Sequence, residues 1–205
     1  MEPQWSRLQG EYGYCLRISY RMIGLLPCWD KFNDSVNSLS RPIHLGPEWM
    51  EAGRISGLSL PDKLWITDPP SSSFPACIAV KCAEDQSPTF GVKYLLATRE
   101  AMLTGSKNIA DTSILLDIGL SLSDSEPAFD QKKFREDLLG RRGRELFRRD
   151  YQEAQYLGIR RSPTLILKSG GTAIMLRGYQ PWDILVDKVE GLLRPPDPGL
   201  LPTPA

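Results

Sequence analysis

The side chains that could carry chemistry are four cysteines (Cys15, Cys28, Cys77 and Cys82), a lone histidine (His44), and a proline standing just before a short apolar run at Ser162-Pro163-Thr164. An arginine-rich stretch from Arg135 to Arg149 completes the set. No Cys-x-x-Cys occurs anywhere in the chain. Cys77 and Cys82 fall on one expected helix, about 140° round from one another at 3.6 residues per turn. That separation rules out an intrahelical disulfide and does not make a metal pair. His44 sits in a proline-flanked loop with no clustered companions, so no metal site and no cofactor are expected. All four thiols are expected to be free and mostly buried. Cys77 is the candidate reactive thiol, because it falls in the first turn of a helix prefaced by Ser71-Ser72-Ser73, where a helix N-terminus favours a thiolate. Its competing assignment is a buried structural cysteine. Cys28 follows Pro27 in a loop and has no resolving partner.

Composition sets the outer bounds. The 205 residues are 41% hydrophobic and carry 25 basic against 25 acidic side chains, so no net charge draws the chain to nucleic acid or to a membrane surface. No apolar run is long enough to span a bilayer. Met1-Glu2-Pro3-Gln4-Trp5 has neither a basic n-region nor an apolar h-region, and a cytoplasmic location is expected. The arginine-rich stretch is an anion or acidic-partner patch on one interpretation. On the other it is a solvated helix face, since Glu136, Asp137, Glu145, Asp150 and Glu153 are interleaved with it.

The elements that position these residues follow from periodicity. Glu2 to Tyr12 has the pattern of a short amphipathic helix, and Cys15 to Met22 alternates apolar and polar side chains as a half-buried strand does. Pro27 to Pro47 is expected to be a long loop, and Trp49 to Trp65 is ambiguous. Helices are expected from the Ala76–Ala83 run, from Pro88, over 108–122, over 130–139 and over 144–157. Gly158 suits a helix C′ position. Thr164 to Leu167 and Ala173 to Leu176 form an expected hairpin about Gly170-Gly171, and Trp182 to Leu193 a last amphipathic helix. The proline-rich tail, 194–205, is expected to be disordered.

Helix, strand, helical block, proline-led strand, strand and helix resemble the DsbA-like (FrnE-like) branch of the thioredoxin superfamily. The resemblance runs from Glu2 to about Leu193 and is carried by Glu2-Pro3-Gln4-Trp5, Ser72-Ser73-Phe74-Pro75-Ala76, and Gly158-Ile159 followed by Ser162-Pro163-Thr164. It implies an α/β (α+β) fold with a thioredoxin-like mixed sheet. Residues 1–48 and 159–193 would form the two halves of the core, and 49–158 an inserted all-helical subdomain. It also implies a cis Ser162–Pro163 bond facing the redox centre. Arg161, Ser162, Pro163 and Thr164 would then line a substrate groove.

In that family a strand leads into a Cys-x-x-Cys at the start of the first helix, and here the chain opens within the corresponding helix. The expectation is therefore a truncated, redox-incompetent thiol-disulfide oxidoreductase relative, with no catalytic residue of its own. Two alternatives remain open. One is a non-catalytic peptide-binding adaptor. The other is a relative of the glutathione-dependent isomerases and transferases, which use a serine at the missing position. The implied partners are protein or peptide thiols and disulfides, or glutathione.

Overall fold

Why the middle of the chain is helical is plain from its side chains. In the run Ala76-Cys77-Ile78-Ala79-Val80-Lys81-Cys82-Ala83 almost every position is small or apolar, and such a helix is covered on most sides. A computed structural model describes residues 2–32, 39–60 and 63–194. In it this run is the centre of helix α4. The helices in chain order are α1 (Glu2–Tyr12), α2 (Leu45–Ser56), α3 (Lys63–Thr67), α4 (Phe74–Gln86), α5 (Pro88–Leu103), α6 (Thr112–Ser125), α7 (Gln131–Leu139), α8 (Arg142–Tyr156) and α9 (Trp182–Leu193). The ambiguous 49–65 region is thus resolved as the end of α2 and the start of α3. The two strands are β1 (Thr164–Ser169) and β2 (Thr172–Arg177), and short 3₁₀ turns lie at Trp29–Lys31 and Pro42–His44.

The chain divides into two compact units, Met1–Ile18 with Arg160–Ala205, and Ser19–Ile159. In the helical unit, α4 is the hub. Ala79, Cys82, Ala83, Tyr94, Leu115 and Phe134 are fully buried in one core, and the Tyr94 hydroxyl donates to the Leu115 carbonyl oxygen at 2.6 Å. Gly143 allows α8 to approach α4: a Cβ there would stand 2.5 Å from Cys82 Sγ and 2.8 Å from Ile78 Cγ2. From sequence, residues 19–48 are assigned to the thioredoxin-like halves, whereas by contact 19–32 and 39–48 belong with the helices. The reason is a set of local bonds. The Met22 N–H donates to Asp150 Oδ2 (2.9 Å), the Ser73 N–H to the Leu26 carbonyl (2.8 Å), and the Trp29 indole N–H to the Pro70 carbonyl (2.9 Å).

The other unit holds α1, the hairpin and α9. Strands β1 and β2 are antiparallel, from Thr164 opposite Arg177 to Ser169 opposite Thr172. Gly170 and Gly171 turn the chain at φ +53° and +83°, the left-handed pair that a tight two-residue hairpin requires. Arg7 lies 4.1 Å from the Trp182 ring, and the Tyr12 hydroxyl donates to Glu190 (2.9 Å), which ties α1 to α9 over Leu8, Leu185 and Val189.

Two expectations need correction. Cys15–Met22 forms no ladder; residues 13–15 turn instead, with the Cys15 and Leu16 N–H groups both donating to the Tyr12 carbonyl. Its alternation survives, exposed at Arg17, Ser19 and Arg21 and half-buried at Ile18, Tyr20 and Met22, but among the described residues no strand runs beside it. For the same reason the sheet is an antiparallel pair rather than a mixed sheet. The tail beyond 194 lies outside the described residues.

One polar arrangement is buried in the helical core. Lys81 and Asp150 are 8% and 6% exposed, with Lys81 Nζ 3.1 Å from Asp150 Oδ2. Lys81 also pairs with Glu84, and Arg21 reaches Glu153 at 3.0 Å. Removing one member of a buried pair strands the other charge, at a cost of about 3–5 kcal/mol. Asp150→Ala should therefore lower the unfolding free energy by that order, read as a lower urea midpoint, and Lys81→Met with Asp150→Leu should recover most of the loss. Equal midpoints for Asp150→Ala and the parent would show that the pair does not hold the fold.

Candidate functional site

The bend 161–164 is built by its own backbone. Thr164 opens β1 and its hydroxyl donates to the Arg161 carbonyl at 2.8 Å, closing a short turn around Ser162 and Pro163. The Gly178 N–H donates to the Pro163 carbonyl at 2.7 Å, so the far end of the hairpin anchors the proline. The Ser162–Pro163 peptide bond is cis. Proline is tolerated here because it stands at the strand entrance, where a missing N–H removes no ladder bond. Arg161 and Ser162 are exposed, and Pro163 and Thr164 half-buried. The four residues named from sequence thus lie in one continuous turn whose exposed half, Arg161 and Ser162, carries a guanidinium and a hydroxyl.

Cys15 belongs to the same unit as the bend, and Cys28, Cys77 and Cys82 belong to the helical unit. All four are free: Cys15 exposed, Cys28 and Cys77 half-buried, Cys82 buried. Ser72 Oγ accepts the Phe74 N–H at 3.0 Å, whereas the N-cap Ser73 makes no side-chain cap and its Oγ accepts the Leu26 N–H at 3.0 Å, which tethers the preceding segment. Cys77 is the fourth residue of α4, and its own N–H is already spent on the Ser73 carbonyl (3.1 Å). Burial pushes its thiol up to about 11, a backbone hydrogen bond with Gly24 offsets only part of this, and the Asp150 carboxylate adds to the rise. Burial pushes Cys82 up to about 12, with Asp137 assisting. A thiol at about 11 is ionised to roughly one part in ten thousand at pH 7.

His44 is exposed, and its Nδ1 accepts the Ser40 N–H at 3.4 Å. Among the described residues no group of three or more His, Cys, Asp or Glu side chains converges as a metal site would need. No helix among them is long and apolar enough to cross a membrane.

A proline-led strand in a hairpin, a closing helix and a large helical insertion define a thioredoxin-like α+β protein. The family model described as Thioredoxin matches residues 1–187, and the chain belongs to that family. Among curated relatives it is similar to the ClpXP adapter protein SpxH of Halalkalibacterium halodurans (26% identical over 195 residues, covering 94% of this chain and 62% of that protein). It is likewise similar to the ClpXP adapter protein SpxH of Bacillus subtilis (28% over 168 residues, 80% and 52%). The chain therefore spans about half to six-tenths of the length of these relatives.

Two solved structures share the fold. One is titled "a putative protein disulfide isomerase from Nitrosomonas europaea" (TM-score 0.69, 17% identity, 93% of this chain and 88% of that one). The other is the cytosolic disulfide reductase DsbM from Pseudomonas aeruginosa (TM-score 0.55, 22% identity, 76% and 82%).

Sequence reasoning missed the buried Lys81–Asp150 pair. Its signal was a lysine inside the apolar run 76–83, where a charge needs a partner. The thiol environments yield a direct test. A thiol whose pKa is raised by folding stabilises the native state fully below its ordinary value of 9.0, and that contribution is lost as pH rises toward the folded value. Stability should therefore fall between about pH 9 and pH 12. At neutral pH an aromatic disulfide reagent should label exposed Cys15 first and Cys82 only on unfolding. Fast labelling of Cys77 and Cys82 in the native protein would contradict these environments.

Proposed function

We propose that this chain is a DsbA-like, thiol-disulfide oxidoreductase-type scaffold that holds a protein or peptide along Arg161, Ser162, Pro163 and Thr164. Its own four cysteines do not perform disulfide exchange. Exchange needs a thiolate to attack a disulfide and a second cysteine to resolve the mixed intermediate. The observation that carries this function is the state of the thiols: all four are free, and the one at the start of α4 is pushed up to about 11. What remains is recognition by an exposed turn with an outward cation and hydroxyl, which suits an extended polypeptide.

The adaptor form of this function draws further support from relatives named ClpXP adapter proteins, whose name implies a protein brought to a protease. A protein partner delivered for degradation is thus part of the proposal. So is a cytoplasmic location, supported by the free thiols and by the neighbour titled a cytosolic disulfide reductase.

With dithiothreitol, the chain should reduce insulin no faster than dithiothreitol alone, and turnover approaching that of an intact oxidoreductase would overturn the assignment. Partners captured by the full chain should be lost, or bound about tenfold more weakly, when Arg161→Ala and Pro163→Ala are combined, because a charged contact is worth about 1.5–3 kcal/mol. Undiminished capture would remove the bend from the binding surface. Retention on immobilised glutathione would move the protein to the glutathione-dependent class.

A further inference from the structure

The arginine-rich stretch is not fully neutralised by the acids interleaved with it, because three of those acids pair with other cations. Asp137 pairs with Lys133, Asp150 with Lys81, and Glu153 with Arg21. Arg142 is drawn off by Asp85 at 2.7 Å, and Lys133 also reaches Asp85 at 3.2 Å. On α8 and its N-cap this leaves Arg141, Arg144, Arg148 and Arg149 exposed and, among the described residues, without an ion-pair partner, against Glu145, the exposed α8 carboxylate that holds no ion pair there. Three of the four converge. Arg141, Arg144 and Arg148 follow one another at helical spacing of three and four residues, so they share a face, and with Glu145 they line a surface cavity of about 200 Å³. Arg141 provides no side-chain cap, so the first-turn N–H groups of α8 add positive potential at the same end.

We propose that this face docks an acidic peptide segment of a protein partner, with the three guanidinium groups taking successive carboxylates. The dimensions fit. Seven residue steps of helix rise about 10 Å, and three acidic side chains on alternate positions of an extended peptide span about 13 Å, a difference that the long, flexible arginine side chains take up, so the carboxylates meet the arginines in turn. Guanidinium–carboxylate bonds are the strong, geometrically specific kind. Glu145 stands among the arginines and opposes any anion, which tunes the affinity downward and favours a peptide whose carboxylates straddle it. This docking face is separate in chemistry from the Arg161–Thr164 turn and does not depend on it.

The test uses the full chain and a fluorescently labelled peptide alternating Glu and Ser, with Gln replacing Glu in the control. Anisotropy should show binding of the Glu peptide alone, weakening several-fold as salt rises from about 50 to about 150 mM. Arg144→Gln with Arg148→Gln should weaken it about tenfold, and Glu145→Gln should tighten it. Arg17→Gln with Lys168→Gln, an equal loss of two charges elsewhere, and Pro163→Ala should leave it unchanged. Arg144→Glu with Arg148→Glu should lose the Glu peptide and gain a Lys peptide of the same spacing, a reversal that a misfolded variant cannot produce. Equal binding of the Gln peptide, an unaffected Arg144→Gln/Arg148→Gln variant, or displacement by equimolar inorganic phosphate would each overturn the proposal.

Discussion

Most of the helical unit depends on how one buried charge is satisfied. Lys81 enters the core on α4 because its neighbours Val80, Cys82 and Ala83 are buried and the helix cannot turn that position to solvent. The ammonium therefore needs an anion, and Asp150 supplies it from α8. Asp150 is then held by a second donor, the Met22 N–H, so a single carboxylate joins α4, α8 and the segment after residue 19. A fully apolar core could be equally stable. It would not fix this segment at this place, and the position of residues 19–32 with the helices follows from the polar pair and its neighbours.

Much of the architecture was legible in the sequence, and the limits were physical. Helices whose burial repeats every three or four residues declared themselves: α4 through α8 fall within a few residues of their periodic patterns, and Gly170-Gly171 marked the hairpin. Cys15–Met22 misled because alternation reports which side chains meet a core, not whether a second strand supplies hydrogen bonds. The half-buried pattern survives there without a ladder. The turn 161–164 was legible because a proline at a strand entrance has few alternatives. The pairing of Lys81 with Asp150 was not, since the partners are far apart in sequence and nothing local couples them.

Family membership and chemistry separate here. The fold brings a proline-led strand, a closing helix and the helix α4 into being from local preferences alone, and none of these requires a thiolate. A thiol becomes a nucleophile only where the charged form is stabilised. At Cys77 the helix start is present, yet burial outweighs it, and the nearby Asp150 carboxylate that holds Lys81 works against the thiolate as well. The same carboxylate that organises the helical unit thus adds to the burial that keeps this cysteine protonated.

The ion pairs of α7 and α8 show why interleaved charge in a sequence is a poor guide to a neutral surface. Opposite charges cancel only when their side chains meet, and the acids of α8 that pair do so with cations from other elements: Asp150 turns inward to Lys81, Glu153 to Arg21, while Asp85 of α4 draws in Arg142. Arg142 first, and Lys133 after it, hold the Asp85 carboxyl below the usual carboxylate range, so that network is intact at neutral pH and gives way only in acid. Each acid spent on the fold leaves an arginine on the surface without its sequence neighbour's charge. A chain with no net charge thereby acquires a cationic face, created by the packing of its interior.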